Sequence, residues 1–166
     1  MRVGSLFAGV GGIDLGFEKA GFKTVWANEM DSYAAETFKA NFDCELVVDD
    51  IRNVNVEHIP DIDILVAGFP CQAFSVAGYR KGFEDDRGNV YFEVVKVFEA
   101  KKPQIVFLEN VKNLIGHDNG NTFRVILESL RENGYKVKYQ VLNACDYGNV
   151  PQNRERIYVV AFQDEE

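Results

Sequence analysis

A thiol, a carboxyl and a pair of guanidinium groups stand where this 166-residue chain could use them together. Cys71 lies in Gly68-Phe69-Pro70-Cys71-Gln72-Ala73-Phe74-Ser75, straight after Ile62-Asp63-Ile64-Leu65-Val66-Ala67. That apolar run reads as a buried strand. Pro70 has no N–H and a fixed φ, so the ladder stops and Cys71 is set on a stiff turn past the strand's carboxyl end. In open α/β sheets ligands bind at that edge, and a thiol there can act as a nucleophile. A lone cysteine is also commonly just a small buried side chain. Glu109 ends a second apolar run, Gln104-Ile105-Val106-Phe107-Leu108. Carboxyls are rarely buried unless paired, which makes one placed here a candidate for holding or moving a proton. Farther on, Gln152, Arg154 and Arg156 lead into Ile157-Tyr158-Val159-Val160-Ala161-Phe162 and would share one side if extended.

The elements that must position these groups follow from pattern. Arg2 to Phe7 reads as a first strand, Ala8-Gly9-Val10-Gly11-Gly12 as a loop, and Ile13 to Ala20 as a helix stopped by Gly21. Strand, glycine loop and helix let backbone approach a ligand closely. Counted from Gly9, the last position of the dinucleotide fingerprint is Asp14 rather than Gly or Ala, which weakens a pyrophosphate reading; a plain tight turn is the alternative. Phe22 to Asn28 reads as a second strand. Glu29 at its end can take ribose hydroxyls, or be a solvated strand-end carboxylate. Asp31 caps a helix running through Phe42, with Ala34, Phe38 and Phe42 as its buried stripe.

Glu45 to Val48 reads as a short third strand. Asp49-Asp50-Ile51 behind it offers a carboxylate to an exocyclic amine and an apolar side chain to a ring, or is simply a turn. Val76 to Gly88, with Tyr79-Arg80-Lys81-Gly82-Phe83-Glu84-Asp85-Asp86-Arg87, suits a loop that closes on a polyanion, or a mobile surface loop. Asn89 to Lys101 reads as a helix through Phe92, Val95 and Phe98, although its valines fit a strand as well. Thr122 to Asn133 is a helix with Phe123, Ile126, Leu127 and Leu130 on one face and Gly134 as its stop. Tyr135 to Leu142 reads as an edge strand and Asp146-Tyr147-Gly148 as a turn.

This alternation predicts an α/β fold, a mostly parallel twisted sheet with helices on both faces. The glycine loop, Glu29, Cys71 and Glu109 then share one sheet edge and one cleft. At 46% apolar and 27% charged, residues 1–166 suit a single well-formed domain. A net charge of −8 argues against a stand-alone DNA-binding module, which needs a basic face. Cys44, Cys71 and Cys145 have no C-x-x-C spacing, so neither a disulfide framework nor zinc is expected. His58 and His117 lack ligand-spaced partners and are read as surface or capping residues. No apolar run approaches the ~20 residues of a membrane span. With only Arg2 before the first strand, export is not expected and a cytoplasmic protein is.

Phe7-Ala8-Gly9-Val10-Gly11-Gly12, Gly68-Phe69-Pro70-Cys71-Gln72, Glu109-Asn110-Val111 and Gln152-Asn153-Arg154-Glu155-Arg156 match a known set in order and approximate spacing. Over essentially its whole length the chain resembles the cytosine-5 DNA methyltransferases of bacterial modification systems. The resemblance implies a Rossmann-like S-adenosylmethionine-dependent methyltransferase fold, with S-adenosylhomocysteine as product. It implies double-stranded DNA as partner, with the target cytosine flipped out of the duplex. Phe7, Ala8, Gly9, Gly11, Gly12, Glu29, Met30, Asp50, Ile51, Pro70 and Val90 would line the cofactor pocket, Glu29 on the ribose and Asp50 on the adenine amine. The family often has a large aromatic where Met30 stands, so ring packing there would be weaker.

Cys71 would attack cytosine C6, Glu109 would engage N3, and Arg156 would hold O2 with Arg154 in support. Gln72, Ser75, Arg80, Lys81, Arg87, Asn110, Val111 and Gln152 would lie on the substrate and DNA side. The family continues with a target-recognition region and a last segment that packs beside the first strand. This chain is therefore expected to be the catalytic and cofactor-binding part, needing a second half or subunit, with an apolar strip open to self-association. A cofactor- or partner-binding remnant without turnover is the rival reading. A nicotinamide oxidoreductase is opposed by Asp14 and by the Cys71–Glu109 pair.

Overall fold

A computed structural model describes residues 1–70 and 90–163. Seven strands form one sheet: β1 (Arg2–Leu6), β2 (Lys23–Asn28), β3 (Glu45–Val47), β4 (Ile64–Ala67), β5 (Ile105–Val111), β6 (Lys136–Asn143) and β7 (Glu155–Phe162). Between them lie α1 (Gly12–Lys19), α2 (Ser32–Asn41), α3 (Val90–Lys101), α4 (Asn121–Glu132) and the single turn α5 (Ala144–Tyr147). The strand order is β3-β2-β1-β4-β5-β7-β6. The first five strands are parallel, and β7 inserts antiparallel between β5 and β6. The order reverses between β1 and β4, so the glycine loop and the Phe69-Pro70 turn flank the switch point where such sheets bind ligands.

Each expected helix and strand forms, with ends moved by one to three residues. β1 stops at Leu6 because Phe7 takes a left-handed φ of 54°, which a strand cannot continue. The expected turn at Asp146-Tyr147-Gly148 is the end of α5. The largest shift is in β5. Glu109, Asn110 and Val111 belong to the strand because β7 pairs with β5 as far as Val111 opposite Arg156. Glu109 and Asn110 are thereby committed to opposite faces.

β4, hydrogen-bonded on both sides, is buried at all four positions, as its unbroken apolar run requires. Leu65 and Ala67 face the main core beneath α3 and α4, with Leu6, Trp26, Phe98 and Ile126. Ile64 and Val66 face the other side, with Val3, Ile13, Phe17 and Phe107. α2 covers Ala27 through Phe38 and Phe42, whose rings stack 4.4 Å apart. Its most buried positions are Ala35 and Phe38; Ala34, expected in the stripe, is half-buried. Asp31 caps that helix as expected, accepting from the Ala34 N–H at 2.8 Å.

One irregularity carries structural weight. The β1–β2 register shifts by a residue at Val25, pairing Val3 with Thr24 but Gly4 with Trp26. The shift sends Trp26 into the main core while Thr24 and Ala27 stay on the α1 and α2 side. Thr24 Oγ1 and Ser5 Oγ can then both donate to the fully buried Asp14, at 3.3 and 3.1 Å. Asp14 is the third residue of α1, so this link bolts the start of the helix to the two strands on either side of the glycine loop. Burial pushes its carboxyl above the ordinary range, against the two hydroxyls and a backbone N–H that hold it down.

Candidate active site

The loop after β1 is held from both ends. The Ala8 N–H donates to Asn28 O at 3.0 Å, and the Gly11 N–H closes a turn on Ala8 O at 2.9 Å. Gly11 has a φ of 88°, and a Cβ there would run into the Phe42 ring, so glycine is required on both counts. Glu29 at the end of β2 reaches back to this loop. Its Oε2 accepts the Gly9 N–H at 2.7 Å and its Oε1 the Asp31 N–H at 2.8 Å. Each oxygen keeps acceptor capacity for a further donor.

Asn28 ties the next strand in, donating through Nδ2 to Val47 O at 3.1 Å and Asp49 O at 2.8 Å. Asp50 opens the short turn Ile51–Asn53 and accepts from the Arg52 N–H at 3.0 Å and from Arg52 Nε at 2.9 Å. The Arg52 side chain holds the Asp50 carboxyl down at about 2, so it is ionised at any physiological pH. Ile51 is buried and Met30 is exposed. The glycine loop, Glu29 and Asp50 thus stand at the carboxyl ends of three adjacent strands.

Across the switch point, Glu109 leans over the end of β4, where a Cβ on Gly68 would meet its Oε2 at 3.5 Å. Its partner in register is Tyr158, and the diagonal neighbour Arg156 donates from Nε to Oε1 at 3.0 Å. Both side chains of this pair are about four-fifths covered. Burial raises the carboxyl's pKa; the charges of Arg156 and Arg154 oppose the rise without cancelling it. A cleft of about 680 Å³ is lined by Ala8 and Gly12 of the loop, by Phe17 of α1 and its C-cap Ala20, by Phe107 and Tyr158, and by Glu109, Arg154 and Arg156; Glu29 and Asp50 are outside its lining. A carboxyl poised above its usual range beside two guanidinium groups can share a proton with a weakly basic ring nitrogen while cations stabilise a developing anion.

The period-two reading holds for Arg154 and Arg156, which both line this cleft. Gln152 is exposed and outside the lining, because β7 begins only at Glu155. Asn110 points away from this cleft. It was expected on the DNA side, but its side chain is 4% exposed and turned to the opposite face. There Nδ2 donates to Phe69 O at 2.7 Å and Oδ1 accepts the Val111 N–H at 2.8 Å. It is a strut under the turn that delivers Pro70. Val111, half-buried, ends β5; Pro70 is exposed, and Val90, half-buried, opens α3. Cys71, Gln72, Ser75, Arg80, Lys81 and Arg87 lie outside the described residues.

Of the surface and capping roles expected for His117, the surface one is seen: it is exposed, its Nδ1 2.6 Å from Thr122 Oγ1, and among the described residues no side chain caps α4. Sequence reading missed the Asp14 bolt, the Asn110 strut and Tyr158 in the cleft lining. Ser5 and Thr24 inside apolar strands were the available signal for a buried acceptor, and a polar residue next to Glu109 in a core strand was the signal for the strut.

The family model of the C-5 cytosine-specific DNA methylases matches residues 1–166. The Type II methyltransferase M.Bsp6I of Bacillus sp. (strain RFL6) is 64% identical over 166 residues, covering 99% of this chain and 53% of the relative. M.HhaI of Haemophilus parahaemolyticus is 50% identical over 165 residues, 99% of this chain and 50% of its own length. The chain spans about half the length of these curated relatives. A putative DNA modification methyltransferase encoded in an E. coli prophage superposes with a TM-score of 0.81 at 27% identity, over 98% of this chain and 47% of that one. The S. pombe Dnmt2 methyltransferase shares the fold, with a TM-score of 0.80 at 23% identity over all of this chain and 52% of its own. Matched by the family model over its whole length and built on a seven-stranded, mostly parallel Rossmann-like sheet, this chain belongs to the C-5 cytosine-specific DNA methylase family.

Proposed function

We propose that this chain is the cofactor-binding and catalytic part of a DNA (cytosine-5) methyltransferase that moves the methyl group of S-adenosylmethionine to C5 of a flipped-out cytosine. The observation that carries the reading is the shared cleft: Ala8 and Gly12 of the glycine loop and the Glu109–Arg156 pair line one cavity. The residues present fit the cofactor. Glu29 offers acceptors to a ribose diol beside the glycine loop, and the ionised Asp50 offers one to an exocyclic amine. Bound there, S-adenosylmethionine supplies an electrophilic methyl group.

Cytosine C5 is a poor nucleophile, and the protein's task is to change that. The Cys71 thiolate adds to C6, forming an S–C bond as the C5–C6 π electrons shift through the ring. Glu109 gives or shares its proton at N3, so the ring becomes an enamine with density on C5. Arg156 meets O2, and Arg154 adds positive charge at the rim. After C5 takes the methyl group, a base removes the C5 proton, the electrons of that bond expel Cys71 as thiolate, and N3 returns its proton to Glu109. Only a base outside the duplex exposes these atoms.

A second part, in the same polypeptide or another, completes the enzyme in this reading. On the side of the sheet away from α4, Phe107, Leu142, Tyr158 and Val160 line a further cleft of about 610 Å³, and Tyr158 and Val160 are only half-buried. Such a face suits a packed partner segment. The net charge of −8 leaves most of the DNA-holding surface to that part as well. The same two observations favour the rival reading, a cofactor- or partner-binding half without turnover.

Calorimetry on the chain and transfer of a tritiated methyl group to duplex DNA, with and without a complementing second half, test both. Binding of S-adenosylmethionine and S-adenosylhomocysteine, with methylation only in the complemented mixture, is expected. Binding without methylation in that mixture selects the rival, and binding of NADH with none of S-adenosylmethionine overturns both readings.

A further inference from the structure

β6 and β7 run antiparallel as far as Asn143 opposite Glu155. The next rung would join Ala144 and Arg154, and half of it forms: the Ala144 N–H donates to Arg154 O at 3.1 Å. The return bond has no acceptor, because Ala144 opens α5 and its carbonyl takes the Gly148 N–H at 2.7 Å. The Arg154 N–H would lose its ladder partner where the chain carries the guanidinium into the cleft. Asn143 Oδ1 accepts it instead, at 2.9 Å. The other end of the amide is fixed too, Nδ2 donating to Asn153 Oδ1 at 2.7 Å.

We propose that Asn143 is a positioning residue, a side-chain rung that keeps the Asn153–Arg154 backbone in strand geometry and so aims Arg154 beside Glu109 and Arg156. This rests on the reading of those three side chains as the group that meets the base. Asn143 touches none of the reacting atoms; it acts through Arg154. An exposed arginine on an unpinned backbone spreads its charge over many positions, and its field at a neighbour falls with distance. Among the described residues, the titratable groups that bear on Glu109 are Arg156, Arg154 and Tyr158, all on or beside β7.

The test uses the full chain without cofactor or DNA, reading hydrogen exchange of the Arg154 amide and the carboxyl-carbon titration of Glu109. In the unaltered chain the Arg154 amide should be protected like those inside β7; exchange at the rate of an unprotected amide overturns the proposal without any variant. Asn143→Ala should speed that exchange by at least about tenfold and raise the Glu109 titration in the same direction as Arg154→Gln. Combined with Arg154→Gln it should move Glu109 no further. Asn143→Asp, which still offers an acceptor to the Arg154 N–H, should restore the protection. An unmoved Glu109 titration in Asn143→Ala, with Arg154→Gln shifted, overturns the role of Asn143. An unmoved titration in Arg154→Gln overturns the proposal through the reading on which it rests.

Discussion

Glu109 is held by opposing influences, burial on one side and two arginines on the other, and burial is the larger. A raised carboxyl is protonated more readily in the folded chain. The stability it contributes is full below its ordinary value of 4.5 and is lost as pH climbs through the raised one. Glu109→Gln should flatten the stability–pH curve across that window, measured by urea melts at a series of pH values. In the complemented methyl-transfer assay the same change should cost about 10²–10⁴-fold in turnover and leave S-adenosylmethionine affinity in place. Cys71→Ser should abolish transfer while cofactor binding persists; unchanged turnover would remove Cys71 from the mechanism. Cys44 should tolerate Ala, since burial and nearby carboxylates push its thiol up to about 11 and leave little thiolate. At this scale the site was legible wherever a residue's chemistry conflicts with its surroundings, as for a carboxyl after five strand residues. The burial of Asn110 was not legible, because sequence order does not say which face of β5 it occupies until the strand's end is known.

The elements were legible from periodicity, and their ends were not. β5 gains three residues, and β7 two, only because the strands pair with each other, a contact between segments far apart in the chain. The bulge at Val25 is likewise invisible in a run that reads equally well as an unbroken strand. Its consequence is measurable through Asp14. Asp14→Ala leaves the buried hydroxyls of Ser5 and Thr24 without their acceptor and should cost about 1–3 kcal/mol in a denaturant melt. It should also weaken S-adenosylmethionine binding, because the glycine loop loses the bolt across its ends. Asp14→Asn keeps an acceptor oxygen and should be milder. It should also remove a pH dependence: the raised Asp14 carboxyl favours the fold most below its ordinary value and progressively less as pH rises through the raised one.

For the whole molecule, charge and the uncovered sheet face point the same way. At −8, the chain's net field repels DNA except where arginines gather, so the isolated chain should bind duplex DNA weakly at physiological salt, with affinity recovering as salt is lowered. Gel shifts across a salt series measure this. Sizing chromatography should show self-association, relieved when a complementing second half is added. Sequence-specific methylation by the chain as a monomer would show that no second part is needed.

The place of β7 in the sheet also sets an order of events. Among the described residues it is the last strand in sequence, yet it lies between β5 and β6, and it is the only one with which β6 pairs. As the chain leaves the ribosome, β1 to β5 can assemble with β5 as an open edge, while β6, packed on α4, has no strand to pair with. The arrival of β7 closes that edge, captures β6 and brings Arg156 to Glu109 in one step. Pairing of β5, β7 and β6 and formation of the Glu109–Arg156 contact are therefore expected to be a single kinetic event. Pulse-labelled hydrogen exchange during refolding should find the amides of β5, β6 and β7 gaining protection together in the slowest phase, after those of β1 and β4.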